Sequence, residues 1–252
     1  MNTSGLLGIL LIAAAAPVSA LEPAIAAKDV DWSASKVFLN GKPSAVDQED
    51  VQQVLGFSAG TKVRSWSAGA VANEGEPGDF HYLLVFRREI PIGSILLRGS
   101  TRHLSLLKSE ATGKIDPADE TQWTTIEAPS HQAGGVLLTL DAGAMTKAIR
   151  ITDRRLGRSQ VESLRLFKNR YQNLTPAAVA YARHEYTPPN SPNTQSASLV
   201  VTGEGVWASS GKDNNGQYST PPITDINPEW FLLTWDQPHE LRGLWLSSNV
   251  AE

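Results

Sequence analysis

The apolar positions of this chain fall into short runs that turn residues separate, with almost no helical periodicity. Several runs alternate; in one, Ala148, Arg150 and Thr152 lie on one side of the pattern, and Ile149 and Ile151 lie on the other. Alternation of this kind predicts strands with one face in a core and the other face in water. The runs with strand character are 36–39, 63–67, 81–87, 93–99, 104–109, 122–127, 135–140, 147–153 and 160–168.

These short runs predict an all-β fold, and their number and spacing favour a jelly-roll β-sandwich. Residues 47–54 (DQEDVQQV) are the exception, because they predict a short helix. The acidic residues of its first turn suit the positive end of the helix dipole, and the region of Val46 and Asp47 supplies the cap.

The first twenty residues have the pattern of a cleavable export signal. An apolar run over 6–16 is followed by Pro17 and by the small residues Val18, Ser19 and Ala20, so we expect cleavage after Ala20. About 11 apolar residues are too few for a span, since a bilayer core needs about 20. We therefore expect a secreted or cell-envelope protein, with no membrane insertion after the signal is removed.

Composition narrows the partners and the compartment. The chain has 252 residues, 41% of them apolar, and a net charge of −4. An acidic balance without basic runs excludes nucleic acid and anionic membranes as expected partners. The sequence has no cysteine, which excludes disulfides, thiolate nucleophiles and zinc–thiolate sites and favours a bacterial source for an exported chain.

Two segments of the chain align with each other. Residues 82–86 (YLLVF) and 231–235 (FLLTW) match at an offset of 149 residues (231 minus 82), and apolar positions continue to coincide beyond them without a gap. This indicates an internal repeat of about 140 to 150 residues. The second copy would stop less than halfway at Glu252, so we expect a fragment or a longer natural protein.

The repeat gives a domain prediction. A signal peptide covers 1–20, a complete sandwich covers 29–170, and an incomplete second unit covers 199–252. Between the units, 171–198 is rich in Pro, Asn, Ser and Thr and is predicted to be an exposed linker.

Motifs in both units resemble a known family. In the second unit they are LVVTG at 199–203, WASS at 207–210, PEWFLLTW at 228–235 and LRGLWL at 241–246; in the first they are 104–108, QWTTI at 122–126, AIRIT at 148–152 and VESLRLF at 161–167. The chain, over roughly 29–252, resembles the galactose-binding-like jelly rolls, specifically the coagulation-factor type C (F5/8 type C) or discoidin domains. The resemblance implies the fold of that family.

One departure from the family concerns calcium. Many members carry Asp before a turn glycine, where this chain has Leu55 before Gly56 and Thr202 before Gly203. We therefore expect no cofactor, with a loop calcium ion as the alternative because hard oxygen ligands cluster in loops. The acidic loop residues, otherwise expected to be solvated, are Glu74, Glu76, Asp79, Asp116, Asp119 and Glu120.

Signatures of catalysis are missing from the sequence. The five histidines form no HExxH arrangement, no serine lies in a G-x-S-x-G elbow, and no glycine-rich phosphate loop occurs. We therefore predict no catalytic residues, no metal site and no enzymatic activity.

The resemblance points to one candidate binding mouth. The strand at 93–99 delivers Arg98 into a loop with Arg102 and His103, where sugar binders of the family often place Arg and His. Asn73 and Arg155 lie on loops that could flank the same mouth. The alternative is that these loop residues bind nothing specific. Five tryptophans are expected in the core rather than in a stacking platform: Trp32, Trp66, Trp123, Trp207 and Trp235.

The leading hypothesis is a secreted, non-catalytic binding module for carbohydrate or a cell-surface glycan. Two alternatives stay open. The chain is an accessory N-terminal region of a larger exported enzyme with its catalytic domain beyond residue 252, or it is a structural spacer in an envelope protein.

Overall fold

The computed structural model describes residues 21–58, 65–70, 77–99, 103–126, 135–186, 195–202, 207–208, 226 and 228–244. These residues belong to two compact units, one within 21–172 and the other within 173–244. The predicted signal peptide lies outside the described residues. Within the described ranges, no helix is both long enough and apolar enough to cross a membrane.

The first unit is a sandwich of two antiparallel sheets, which confirms the predicted fold class. Its strands are β1 (Lys36–Leu39), β2 (Lys42–Ala45), β3 (Trp66–Ala70), β4 (Gly78–Pro91), β5 (Ser94–Gly99), β6 (His103–Leu107), β7 (Trp123–Ile126), β8 (Val136–Thr139), β9 (Met145–Arg155) and β10 (Arg158–Phe167). A six-stranded sheet has the order β2-β1-β4-β9-β6-β7, and a four-stranded sheet has the order β3-β10-β5-β8.

Alternate residues of the central strands form the core between the sheets. In β4 the inward positions Phe80, Tyr82, Leu84 and Phe86 are fully buried. They pack with the inward aliphatic residues of β9, β5 and β10 in one continuous cluster: Ile149, Ile151, Ile95, Leu97, Val161, Leu164 and Leu166. Burial of this apolar surface is the main force holding the two sheets together.

The outer face of the six-stranded sheet is also covered, which corrects the expectation of a wet face on β9. Ala148 and Arg150 are buried there. The segment 108–122 folds back over the sheet, and its Ala111 and Ile115 pack on a second apolar cluster. Members of that cluster are Leu83, Val85, Leu107, Trp123 and Ala148. Alternation along one strand does not reveal such a cover, because the covering residues come from a distant loop.

The predicted helix is confirmed as α1 (Gln48–Leu55). The Asp47 side chain caps it by accepting hydrogen bonds from the backbone N–H groups of Glu49 (2.9 Å) and Asp50 (3.3 Å). The helix ends at Gly56, whose φ of 79° is the left-handed conformation that glycine adopts readily. A Cβ at Gly56 would lie 2.6 Å from Nε of Arg165, so that side chain would have to shift to admit another residue.

Each predicted strand run overlaps an observed strand, but β2 was missed. Its sequence, Lys42-Pro-Ser-Ala45, lacks the apolar alternation that identifies a strand. It lies at the edge of its sheet and pairs with β1 alone, a position where proline is tolerated. Part of the predicted run 63–67 lies outside the described residues.

The second unit contains a two-stranded antiparallel sheet and a short helix. The strands are β11 (Val179–Ala182) and β12 (Phe231–Thr234), and the helix is α2 (Ala197–Thr202). A 3-10 turn at Thr175–Ala177 precedes β11. The stretch predicted as a linker therefore contributes a turn and a strand, while the domain boundaries themselves stay a prediction.

Candidate functional site

One end of the sandwich gathers the strand ends that every second connection joins: β3 to β4, β5 to β6, β7 to β8 and β9 to β10. We call this the loop end. The strand registers place the residues of the two sheets there: Gly99 lies opposite Val161, His103 opposite Thr152, Gly78 opposite Arg155, Arg158 opposite Ala70, and Ile126 opposite Leu104.

The structure places three of the five predicted binding residues at the loop end. Arg98, His103 and Arg155 lie there, whereas Arg102 and Asn73 lie outside the described residues. The three do not converge. Since their neighbours Leu97 and Leu104 both belong to the core cluster, Arg98 and His103 lie on the outer surfaces of opposite sheets. Their role in binding stays a prediction.

Arg98 is already engaged with another side chain. Its Nε lies 3.0 Å from Oε2 of Glu162, and both side chains are partly exposed. Gln160 donates from Nε2 to Oε1 of the same carboxylate over 3.1 Å. Arg98 therefore belongs to a polar row on the outside of the four-stranded sheet, and its charge is balanced within that row.

Arg155 lies partly in solvent and partly beside a polar group between the sheets. Its side chain is 40% exposed, and Nη1 lies 4.0 Å from Oδ2 of Asp153, whose side chain is fully buried. Ser159 donates from Oγ to the same carboxylate oxygen over 2.8 Å. Ile151, Asp153 and Arg155 lie at every second position of β9. Asp153 and Arg155 therefore share the inward face of the sheet with the core residue Ile151.

Tyr82 and Trp66 complete this polar group, which we call the inner polar group (Trp66, Tyr82, Asp153, Arg155 and Ser159). Their rings meet edge to face with centroids 5.1 Å apart. Burial raises the pKa of Tyr82 to about 12, so the phenol stays protonated. As predicted, Trp66 and Trp123 are buried in the fold and do not form an exposed stacking platform.

Several atoms of the inner polar group are buried without a hydrogen-bond partner in the described part of the chain. They are Nε1 of Trp66, Oη of Tyr82, Oδ1 of Asp153 and Nε of Arg155. Buried polar atoms are nearly always paired, so four unpaired atoms within one group need an explanation. Trp66 and Arg155 offer donors, Asp153 offers an acceptor, and the Tyr82 hydroxyl offers both. Such a set suits a hydroxyl-bearing ligand, because a hydroxyl both donates and accepts.

A second polar site, at Arg150, was not predicted. Its guanidinium is buried on the outer face of the six-stranded sheet, where both terminal nitrogens lie 2.7 Å from the carboxylate oxygens of Glu120. It also donates to the Pro117 carbonyl (2.6 Å) and to Oγ of Ser105 (3.2 Å). The Trp123 ring lies 5.0 Å beneath it.

Glu120 is 70% exposed, as expected of a solvated loop charge, but its pairing with Arg150 was not predicted. The hydrogen bonds from Arg150 hold the pKa of the Glu120 carboxyl below the ordinary value. These contacts anchor the 108–122 segment. Because Arg150 is only 2% exposed, it is not available to a ligand. An arginine inside the otherwise apolar run AIRIT was the one sequence signal for this site.

The other acidic loop residues of the described part make local contacts. Asp116 accepts from the Ala118 N–H (2.9 Å), and Asp119 accepts from the Thr121 N–H (3.1 Å). Within the described ranges, no three His, Asp or Glu residues group closely enough to hold a metal ion. Glu74 and Glu76 lie outside those ranges, and the cofactor, calcium and metal predictions stay predictions.

No family model matches the sequence, and no curated protein matches it. Solved structures do match. One is CpGH89CBM32-6 produced by Clostridium perfringens, with 12% identity and a TM-score of 0.33 over 54% of this chain and 94% of that one. Another holds the CBM32-1 and CBM32-2 domains of Clostridium perfringens ZmpB, with 13% identity and a TM-score of 0.35 over 57% of this chain; the chain spans about a third (35%) of that structure.

A further match is an F5/8 type C domain from Bacteroides fragilis, the family that the sequence motifs resemble. It has 15% identity and a TM-score of 0.30, with coverage of 57% of this chain and 97% of that domain.

Proposed function

We propose that this chain is a secreted, non-catalytic module that binds carbohydrate or a cell-surface glycan at the loop end. The observation that carries the proposal is the inner polar group, in which buried donors and a carboxylate oxygen have no partner among the described residues, and in which Arg155 is partly exposed. The sequence resemblance to discoidin-like domains supports the same class of ligand, and the acidic balance of the chain disfavours polyanions.

The chemistry of the group suits sugar hydroxyls. A carboxylate accepts hydrogen bonds from neighbouring hydroxyls, while an arginine and an indole N–H donate to the hydroxyl oxygens. Bonds to the charged partners are shorter and stronger than bonds between neutral groups. Asp153, Ser159 and Tyr82 lie on strands of the sandwich, and groups held on rigid elements keep their geometry when a ligand arrives.

A glycan-array screen of residues 21–252, with and without calcium, tests the proposal. We expect a specific hit that Arg155→Ala abolishes. Arg154→Ala is the matched control, because Arg154 is the preceding residue of β9, is 74% exposed and pairs outside the core with Asp79 (3.5 Å). Both variants are checked for unchanged thermal unfolding before binding is compared.

The pattern of hits distinguishes binding at the loop end from binding elsewhere and from a structural role. A hit retained by Arg154→Ala and lost by Arg155→Ala supports binding at the loop end. A hit that both variants retain places the glycan elsewhere, and a blank array from a folded sample favours the structural-spacer reading. Dependence on calcium would overturn the prediction of no cofactor.

A further inference from the structure

The second unit has a buried ion pair where the first unit has two apolar residues. Nδ1 of His184 lies 2.5 Å from Oε1 of Glu229, and the Glu229 side chain is only 5% exposed. The offset of 149 residues matches Glu229 to Phe80, which lies opposite Leu39 in the first unit. Phe80 belongs to the apolar core cluster and Leu39 packs against it, so the first unit has no polar pair at this position.

The two strands of the second unit bring the pair together. β11 and β12 pair antiparallel up to Ala182 and Phe231. The next residue of each segment is joined to the other by a backbone hydrogen bond of 3.2 Å, so the residues after those, His184 and Glu229, lie opposite each other. Since residues two apart along a strand share a face, Glu229 lies on the same face of the ribbon as Phe231.

Trp207 and its neighbour hold the backbone of this pair in place. The Trp207 ring packs with the Phe231 ring at a centroid distance of 5.4 Å, and its Nε1 donates to the His184 carbonyl over 2.8 Å. The Tyr186 N–H donates to the Ala208 carbonyl over 2.8 Å. The imidazole is therefore positioned against the carboxylate before any ligand arrives.

The ion pair needs an explanation other than stability. Removing two charges from water costs about as much free energy as their attraction returns, and apolar residues of similar volume often stabilise a fold equally well. In addition, Oε2 of Glu229 is buried and has no partner among the described residues. The His184 side chain is 34% exposed, so the pair connects solvent with an acceptor inside the unit.

The inner polar group of the first unit has the same three parts. There the partly exposed Arg155 lies beside the buried carboxylate of Asp153, one oxygen of which has no partner among the described residues. A tryptophan packed on a second aromatic ring, Trp66 on Tyr82, lies in the same group. The two units thus place a half-exposed nitrogen base, a buried carboxylate and a tryptophan together, with different residues in each.

We infer that His184 and Glu229 form a second glycan-binding site, which belongs to the second unit and takes its class of ligand from the proposed function. The Glu229 carboxylate would accept from a sugar hydroxyl, and Nε2 of His184 would bond to a neighbouring hydroxyl, since a hydroxyl both donates and accepts. The buried carboxylate favours neutral sugars over anionic ones. Because the hydrogen-bonding groups differ from those of the first unit, the two sites should select different glycans.

A second round of the glycan-array screen tests the inference, with Arg155→Ala introduced into the chain 21–252 to remove binding at the first unit. We expect hits on neutral glycans that remain in this background. Adding Glu229→Gln should weaken them by about tenfold, because a charge-assisted hydrogen bond to the sugar becomes a neutral one. Glu240→Gln is the matched control and should leave them unchanged, since Glu240 is a 61% exposed carboxylate of the same unit that pairs with Arg242.

A double variant separates a binding role from a structural one. His184→Leu with Glu229→Phe gives the second unit the apolar residues that the first unit has at the matching positions. It should keep the thermal unfolding of the second unit and lose the remaining hits.

The inference and the loop-end proposal fail in different ways. Binding retained by the folded double variant, or equal binding by Glu229→Gln and Glu240→Gln, would overturn the inference. If every hit vanishes with Arg155→Ala alone, the inference is overturned and the loop-end proposal stands. If every hit survives Arg155→Ala and is lost in the double variant, the inference stands and the loop-end proposal fails.

Discussion

Arg150 illustrates how a charge is accommodated inside this sandwich. Burying a guanidinium is costly unless its donors are satisfied and its charge is paired. Glu120 supplies both carboxylate oxygens, and the Pro117 carbonyl and Ser105 hydroxyl take further N–H groups. Only Nε of Arg150 lacks a partner among the described residues. The arrangement fastens the 108–122 segment over the second apolar cluster.

Replacing Arg150 with methionine should lower the free energy of unfolding by about 2–3 kcal/mol, because several charge-assisted hydrogen bonds are lost. The exposed Glu120 can be hydrated, which limits the loss. Urea denaturation measures the change. Arg154→Ala, in the same strand but exposed, should shift stability by less than about 0.5 kcal/mol. Equal losses in the two variants would contradict the anchoring role.

His81 should make stability depend on pH. Burial, and then repulsion from Arg150, lowers the pKa of its imidazole below the ordinary 6.5. Below about pH 6.5 the unfolded chain binds a proton that the folded chain does not bind, so the free energy of unfolding falls as the pH falls. Above that pH the contribution is fully present.

Urea denaturation of the chain and of His81→Gln between about pH 7 and pH 5 measures this contribution. The variant should lose less stability across the window than the unmodified chain. Parallel pH profiles would show that the imidazole titrates alike in the folded and unfolded states.

At the scale of elements, local pattern predicted most of the fold. Strands with apolar alternation or continuous apolar runs, such as β4 and β10, were identified together with α1, because each carries its own signal. β2 has no such signal and depends on pairing with β1.

The candidate site, like the fold, was predicted only where the local sequence carries a signal. The predicted order of strands and loops brought Arg98, His103 and Arg155 to one end of the first unit. The inner polar group was not predicted, because sequence does not say which residues of β3, β4, β9 and β10 meet across the two sheets.

The cap of α1 gives a prediction for an element. Asp47→Ala should destabilise the chain by about 1 kcal/mol, since two backbone N–H groups lose their acceptor. Asp47→Asn keeps a capping oxygen and serves as the control, with a loss of less than about half that amount. Thermal and urea unfolding of both variants measure the difference. The same loss for Asn and Ala would mean that the cap contributes nothing.

At the scale of the molecule, the first unit contains both apolar clusters within residues 21–172. A chain cut after residue 172 should therefore unfold in one cooperative transition. Its midpoint should lie within a few degrees of that of the first unit in the longer chain, which corresponds to a change of about 1 kcal/mol or less. Differential scanning calorimetry compares the two, and loss of the cooperative transition would show that the first unit depends on the second.

The central claim is that a glycan reaches the inner polar group, and the indole N–H of Trp66 reports on it most directly. That proton belongs to a buried ring beside Tyr82 and has no acceptor in the described part of the chain. In a ¹H–¹⁵N spectrum, assigned with Trp66→Phe, titration with a glycan from the array should shift this resonance. The Arg155 side chain and the Ser159 amide should shift with it. If the glycan binds while these signals stay in place, the loop-end account is wrong.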